Sequence, residues 1–80
     1  MQKNIKRVRV LRGLTQLQVQ MATGISQSTL SKYESGETLP MVDNLKILAK
    51  FYRTSADYLL DIVDDPKPYP PPSGAHTFKP

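Results

Sequence analysis

The stretch TQLQVQMATGISQSTLSKYESG, Thr15 to Gly36, decides the fold. Thr15 stands three residues before Gln18, the spacing of a capping box, so a helix starts at Gln16. Val19 and Ala22, with Leu17 or Met21, supply its inner face, and Gly24 closes it near Thr23. Ile25 turns into the core, and Ser26 caps the next helix. That helix buries Leu30 and Tyr33, three residues apart, and ends at Glu34-Ser-Gly36. The pattern is helix, tight turn, helix.

The second of these helices has a distinctive other side. Gln27 with Ser31, and Ser28 with Lys32, are i, i+4 pairs and share one face. That face carries hydrogen-bonding groups and one cation, with no large apolar side chain. It crowds the helix N-terminus, where free N–H groups and the helix dipole favour phosphate. A plain solvated surface is the bland alternative. The expectation is that this helix enters a DNA major groove.

Outward from this core, the chain adds three more helices. Gln2–Arg12 reads as the first, with Ile5 and Val8 inward and Gly13 as a left-handed terminator. Val10 and Leu11 do not fit one stripe, so one of them should be half exposed. After the loop Glu37-Thr-Leu-Pro40, residues Val42, Leu45, Leu48, Ala49 and Tyr52 recur at helical spacing. Ser55, or Thr54 with Asp57, starts a last short helix holding Tyr58, Leu59 and Leu60. The composition then changes, because six of the seven prolines fall between Pro66 and Pro80. Such a segment holds neither helix nor central strand and is expected to be extended or disordered. The division is therefore residues 1–62 as one domain and 63–80 as a proline-rich tail.

Eighty residues make at most one small domain. The chain has no cysteine, hence no disulfide and no thiolate metal site, and His76 alone cannot build a zinc site. No apolar run approaches a membrane span, and a cytoplasmic setting is expected. The net charge is +4. Residues 1–60 hold nine Lys/Arg against four acids, and Lys3–Arg12 holds five bases and no acid. Concentrated positive charge is the footprint of a polyanion. The acids are scattered over caps and loops, and no glycine-rich phosphate loop occurs, so no catalytic residue is assigned and no enzyme is expected. No cofactor is expected either.

Several short signals now stand in order: Gly13-Leu-Thr-Gln16, Gly24-Ile-Ser26, Leu30, Glu34-Ser-Gly36, Pro40, Leu45 with Leu48-Ala49, and Ser55-Ala-Asp-Tyr-Leu-Leu60. In this order they resemble the phage-repressor-like (Cro/XRE-type) helix-turn-helix domain of bacteria and phages, over about three quarters of the chain. The resemblance implies an all-α, compact five-helix domain with helices two and three as the DNA-reading unit. It implies base contacts from Gln27, Ser28, Ser31 and Lys32, and a phosphate contact from Gln16 that also braces Gln27. Lys6, Arg7 and Thr38 complete the candidate phosphate contacts. Arg9 and Glu34 match positions that form a structural ion pair. Gln20 departs from the family, which usually has a small residue there. Its amide must reach outward or find a partner where the helices cross, because an unpaired buried amide is costly.

The function implied is a sequence-specific DNA-binding transcriptional regulator, a repressor acting as a homodimer on double-stranded DNA. Two variants stay open. One is an antitoxin-type autorepressor whose tail meets a protein partner. The other is a protein-interaction adaptor that has lost DNA binding.

Overall fold

A computed structural model describes residues 3–68 of the chain. Five helices occur among them: α1 (Asn4–Leu11), α2 (Gln16–Thr23), α3 (Gln27–Ser35), α4 (Val42–Tyr52) and α5 (Ala56–Leu59). No strand occurs among the described residues, so the fold is all-α. Gln2, Tyr69, His76 and the run Pro70-Pro71-Pro72 lie outside the described residues.

The helix ends follow from local chemistry. Thr15 Oγ1 accepts from the Gln18 N–H, while Gln18 Oε1 accepts from the Thr15 N–H, which completes the capping box. Ser26 and Ser55 cap α3 and α5 by accepting from Thr29 and Tyr58 N–H. Gly24 and Gly36 end α2 and α3 at φ +81° and +84°, in the left-handed region that L side chains avoid. Arg53 ends α4 in the same region at φ +58°, without the glycine that would make it easy.

α1 is capped from a distance. Lys3, its N-cap residue, offers no side-chain bond. Asp61 supplies one instead, with Oδ1 accepting the Asn4 N–H at 2.9 Å. The buried Asn4 side chain donates to the Tyr58 and Val63 carbonyls. The end of the domain is thereby closed onto its beginning, and helix one starts at Asn4 instead of Gln2.

The core is built from Ile5, Val8, Val19, Ile25, Leu30, Tyr33, Leu48, Tyr52, Tyr58 and Leu59. α3 packs on α1 and α2, and α5 packs on α1 and α4. Each fully buried apolar side chain contributes roughly 1.5–3 kcal/mol. Four apolar assignments need correction. Val10 and Leu11 are both exposed, as are Ala22 and Val42. Val19 is the one buried residue of α2. A helix of two turns offers its neighbours a narrow stripe, and one fully buried side chain fills it.

The first proline-rich residues lie against this core. Val63 packs on it, and the buried Thr54 donates from Oγ1 to the Pro66 carbonyl at 2.6 Å.

Candidate nucleic-acid interface

The central polar feature is an ion pair behind α3. Arg9 Nε donates to Glu34 Oε2 at 2.7 Å and Arg9 Nη2 donates to Glu34 Oε1 at 3.0 Å. This fork is the strong, bidentate form of the contact. Arg9 Nη1 also donates to the Leu14 carbonyl. Glu34 is buried, and its hydrogen bond is the main reason that the Arg9 pKa rises above its usual value. Arg9 is thus an architectural cation that ties α1 to the end of α3.

Gln16 carries this network forward. Its Nε2 donates to Glu34 Oε1 at 3.1 Å. Its Oε1 receives Gln27 Nε2 at 3.5 Å, a long contact at the edge of hydrogen bonding. The side chains of Arg9, Glu34, Gln16 and Gln27 therefore form one chain from α1 to the outer face of α3. Gln16 is anchored at the N-terminus of α2 by the same bond.

Gln20 has a definite place. Its Oε1 accepts the Gln27 backbone N–H at 2.7 Å. That N–H is one of the donors at a helix start that have no partner inside the helix. The long side chain at the crossing thus bonds α2 to the first residue of α3. No small residue could do this.

The face of α3 is open. Gln27, Ser28, Ser31 and Lys32 are all exposed. Ser28 Oγ lies 3.3 Å from the Ser26 hydroxyl, and Lys32 has no side-chain partner among the described residues. A polar cleft lined by Lys6, Arg9, Gln16, Ser31, Glu34 and Ser35 joins this face to α1. It gathers three predicted DNA-contact residues, Lys6, Gln16 and Ser31, from three helices around the Arg9–Glu34 pair. Arg7 is exposed beside it, and Thr38 lies at the far end of α3, its N–H near the Lys32 carbonyl at 3.4 Å.

The five bases of residues 3–12 divide into two groups. Three have partners within the fold. Lys3 lies 3.9 Å from Asp61, with its side chain over Gly36 at the end of α3. Arg9 holds Glu34. Arg12 donates from Nε and Nη2 to the Tyr52 carbonyl at the end of α4, where a cation suits the helix dipole. Only Lys6 and Arg7 of the five lack a partner among the described residues. The basic run therefore overstates the charge free to meet a polyanion. Sequence reasoning missed Asn4, Arg12 and Asp61 as fold-closing residues, since their partners lie 40 to 59 positions away.

The comparisons with known proteins agree with the helix-turn-helix fold. The helix-turn-helix family profile matches residues 5–59. An uncharacterized HTH-type transcriptional regulator, YobD of Bacillus subtilis, is 36% identical over 66 residues, covering 82% of this chain and 59% of that protein. The HTH-type transcriptional activator BcrR of Enterococcus faecalis is 33% identical over 58 residues, covering 72% of this chain and 28% of that protein. The chain thus spans under two thirds of the length of either relative. No solved structure gives a significant match.

Proposed function

The chain belongs to the phage-repressor-like (Cro/XRE-type) helix-turn-helix family of DNA-binding transcriptional regulators, and from that premise we propose that it is a repressor that reads a major groove with α3. The observation that carries this reading is the outer face of α3. Gln27, Ser28, Ser31 and Lys32 are exposed on one side while Leu30, Tyr33 and Glu34 fix the other. Gln pairs bidentately with adenine N6/N7, Lys favours guanine O6/N7, and Ser accepts either. No acid stands among these four to repel phosphate.

The roles separate by chemistry. Gln27 and Lys32 discriminate bases, and Ser28 and Ser31 fit around them. Lys6 and Arg7 meet the backbone. Gln16 offers phosphate the unpaired N–H groups at the start of α2. Thr38 takes a second phosphate beyond the end of α3. Repression follows from occupancy, by a bound domain that covers a promoter. The setting is cytoplasmic, and no described helix is long and apolar enough to cross a membrane.

Selection from random duplex DNA, followed by binding at several salt concentrations, tests the reading. Enrichment of one motif with a steep fall of affinity with salt is the expected result. Weak, salt-indifferent binding without enrichment overturns it and favours a protein-interaction adaptor.

A further inference from the structure

Asp61 is one of two non-glycine residues with positive φ among the described residues, at +65°. Its N–H donates to the Tyr58 carbonyl, and the Ile62 N–H donates to the Asp57 carbonyl. These two bonds place Asp61 at the position after a helix that glycine usually fills. Aspartate does there what glycine could not, because its Oδ1 takes the Asn4 N–H at the start of α1. The chain beyond it stays on the domain and holds it in place. The Val63 carbonyl accepts from Asn4 Nδ2, and the Pro66 carbonyl accepts from Thr54 Oγ1. Asn4 and Thr54 are both buried, so two interior polar side chains direct donors at this one segment.

The first turn of α1 has little support of its own. Lys3 offers no side-chain cap and the turn holds no acid. Lys6 and Arg7 put two cations at the positive end of the helix dipole, where cations are disfavoured. The other end of the helix is fixed separately, by Arg9 on Glu34 and by Arg12 on the Tyr52 carbonyl.

We propose that Asp61 is a positioning residue for DNA binding: it caps α1 from beyond α5 and so sets the grip of Lys6 and Arg7 on the DNA backbone. The inference rests on the DNA-reading function for the role of Lys6 and Arg7, and on geometry alone for the cap. A first turn without its cap frays, because its N–H groups lose their partners. A phosphate contact made from a frayed turn must then order the backbone as well as the side chain, and it weakens. α3 keeps its brace, since Arg9 lies a turn further along the helix. Loss of the cap therefore loosens the hold on every sequence alike and leaves the motif read by Gln27 and Lys32 as it was. Simple charge predicts the reverse sign, because deleting an acid from a basic DNA-binding domain strengthens binding through the long-range field. The direction of the effect at Asp61 separates the two.

The test uses the full chain carrying Asp61→Gly or Asp61→Asn. Glycine suits the left-handed backbone and removes the cap. Asparagine tolerates that backbone, removes the charge and keeps an oxygen to accept the Asn4 N–H. The Asp61 side chain is 38% exposed, so both variants should fold, and circular dichroism checks it. Asp61→Gly should speed hydrogen exchange of the Asn4, Lys6 and Arg7 amides by about tenfold or more, while the Leu30 and Tyr33 amides stay protected. It should weaken binding to the selected duplex and to random duplex alike, by about tenfold, and lower the salt slope by about one to two. Asp61→Asn should bind within about threefold of wild type, because the capping bond survives. A merely structural loss would scale affinity with the folded fraction and leave the salt slope unchanged. Unchanged exchange at the first-turn amides overturns the cap. Faster exchange with tighter binding, with an unchanged salt slope or with an altered motif overturns the positioning role. A wild type that selects no motif removes the DNA-reading function and the positioning role with it, whereas the exchange result decides the cap by itself.

Discussion

The amino ends of α2 and α3 are both capped by a hydroxyl, yet they are finished differently. At α2, Thr15 takes the Gln18 N–H, and Gln16 and Leu17 keep backbone N–H groups without partners among the described residues. At α3, Ser26 takes the Thr29 N–H and Gln20 takes the Gln27 N–H, so Ser28 alone keeps one. An end with free donors and a positive dipole suits an anion that carries no sequence. An end tied down by a neighbouring helix suits side chains that must hold still to read base edges. Within one motif, the open end fits a phosphate and the closed end fits recognition.

The largest effect should come from removing what stands behind both ends. Glu34 holds Arg9 directly and Gln16 by one further bond. Glu34→Ala leaves a largely buried guanidinium unpaired, at a cost of about 3–5 kcal/mol. For a domain of this size each kcal/mol lowers the melting temperature by roughly 4–8 °C, so the thermal midpoint should fall steeply. DNA affinity should fall with it, since Gln16 loses its anchor. A midpoint within a few degrees of wild type would show that the pair is ornamental.

Next in size is the reading end itself. Gln27→Ala should lose about 1–3 kcal/mol of discrimination at particular base pairs and leave the fold intact. Selection experiments on the two proteins measure it directly. Unchanged specificity would mean that the register assigned to α3 is wrong. At the phosphate side the contrast is of kind as well as size. Lys6→Ala or Arg7→Ala should weaken all sequences alike and lower the salt slope by about one each.

Much of this was legible in the residues. Ser26 and the capping box at Thr15 placed α2 and α3, and the spacing of Leu30 and Tyr33 oriented α3. Helix caps and i, i+3 pairs are local, and local chemistry is what a single sequence displays. The Arg9–Glu34 pair came only from the family resemblance. The partner of Gln20 was hidden, because it depends on how closely two helices cross. Likewise Arg12 looked like part of a DNA-facing run, and only folding brings it to the Tyr52 carbonyl. Periodicity misled at Val42 and Ala22, since apolar spacing shows that a face exists but not that a neighbour covers it.

Gln20 allows the comparison to be broken at its closed end. Gln20→Met keeps the length and loses the acceptor, so the Gln27 N–H becomes a free donor like those of α2. The expected cost is about 0.5–1.5 kcal/mol of stability, at the lower end because the site is near solvent. Gln20→Glu keeps an acceptor and should keep specificity. If Gln20→Met broadens the selected motif while Gln20→Glu does not, closure of α3 matters to reading. If both read DNA as wild type does, the tie is structural alone.

The smallest effect is expected at Tyr52. Its hydroxyl is buried and has no hydrogen-bond partner among the described residues, whereas the part-buried Tyr33 hydroxyl accepts from Asn44 Nδ2 at 2.8 Å. Burial is the main cause that pushes the Tyr52 pKa up, with the Glu34 charge adding to it and Arg9 opposing. The folded state therefore keeps the phenol proton when the unfolded chain begins to release it. In linkage terms the native state binds more protons above pH about 10, so stability should fall as pH rises through that range. Tyr52→Phe removes the unpaired hydroxyl and the titration together. It should change stability at neutral pH by about 1 kcal/mol at most, in the stabilising direction if at all. The alkaline loss should shrink, and the DNA motif should not change. A shifted motif would show that Tyr52 supports the Arg9–Glu34 pair, and through Gln16 the two helix ends, by more than packing.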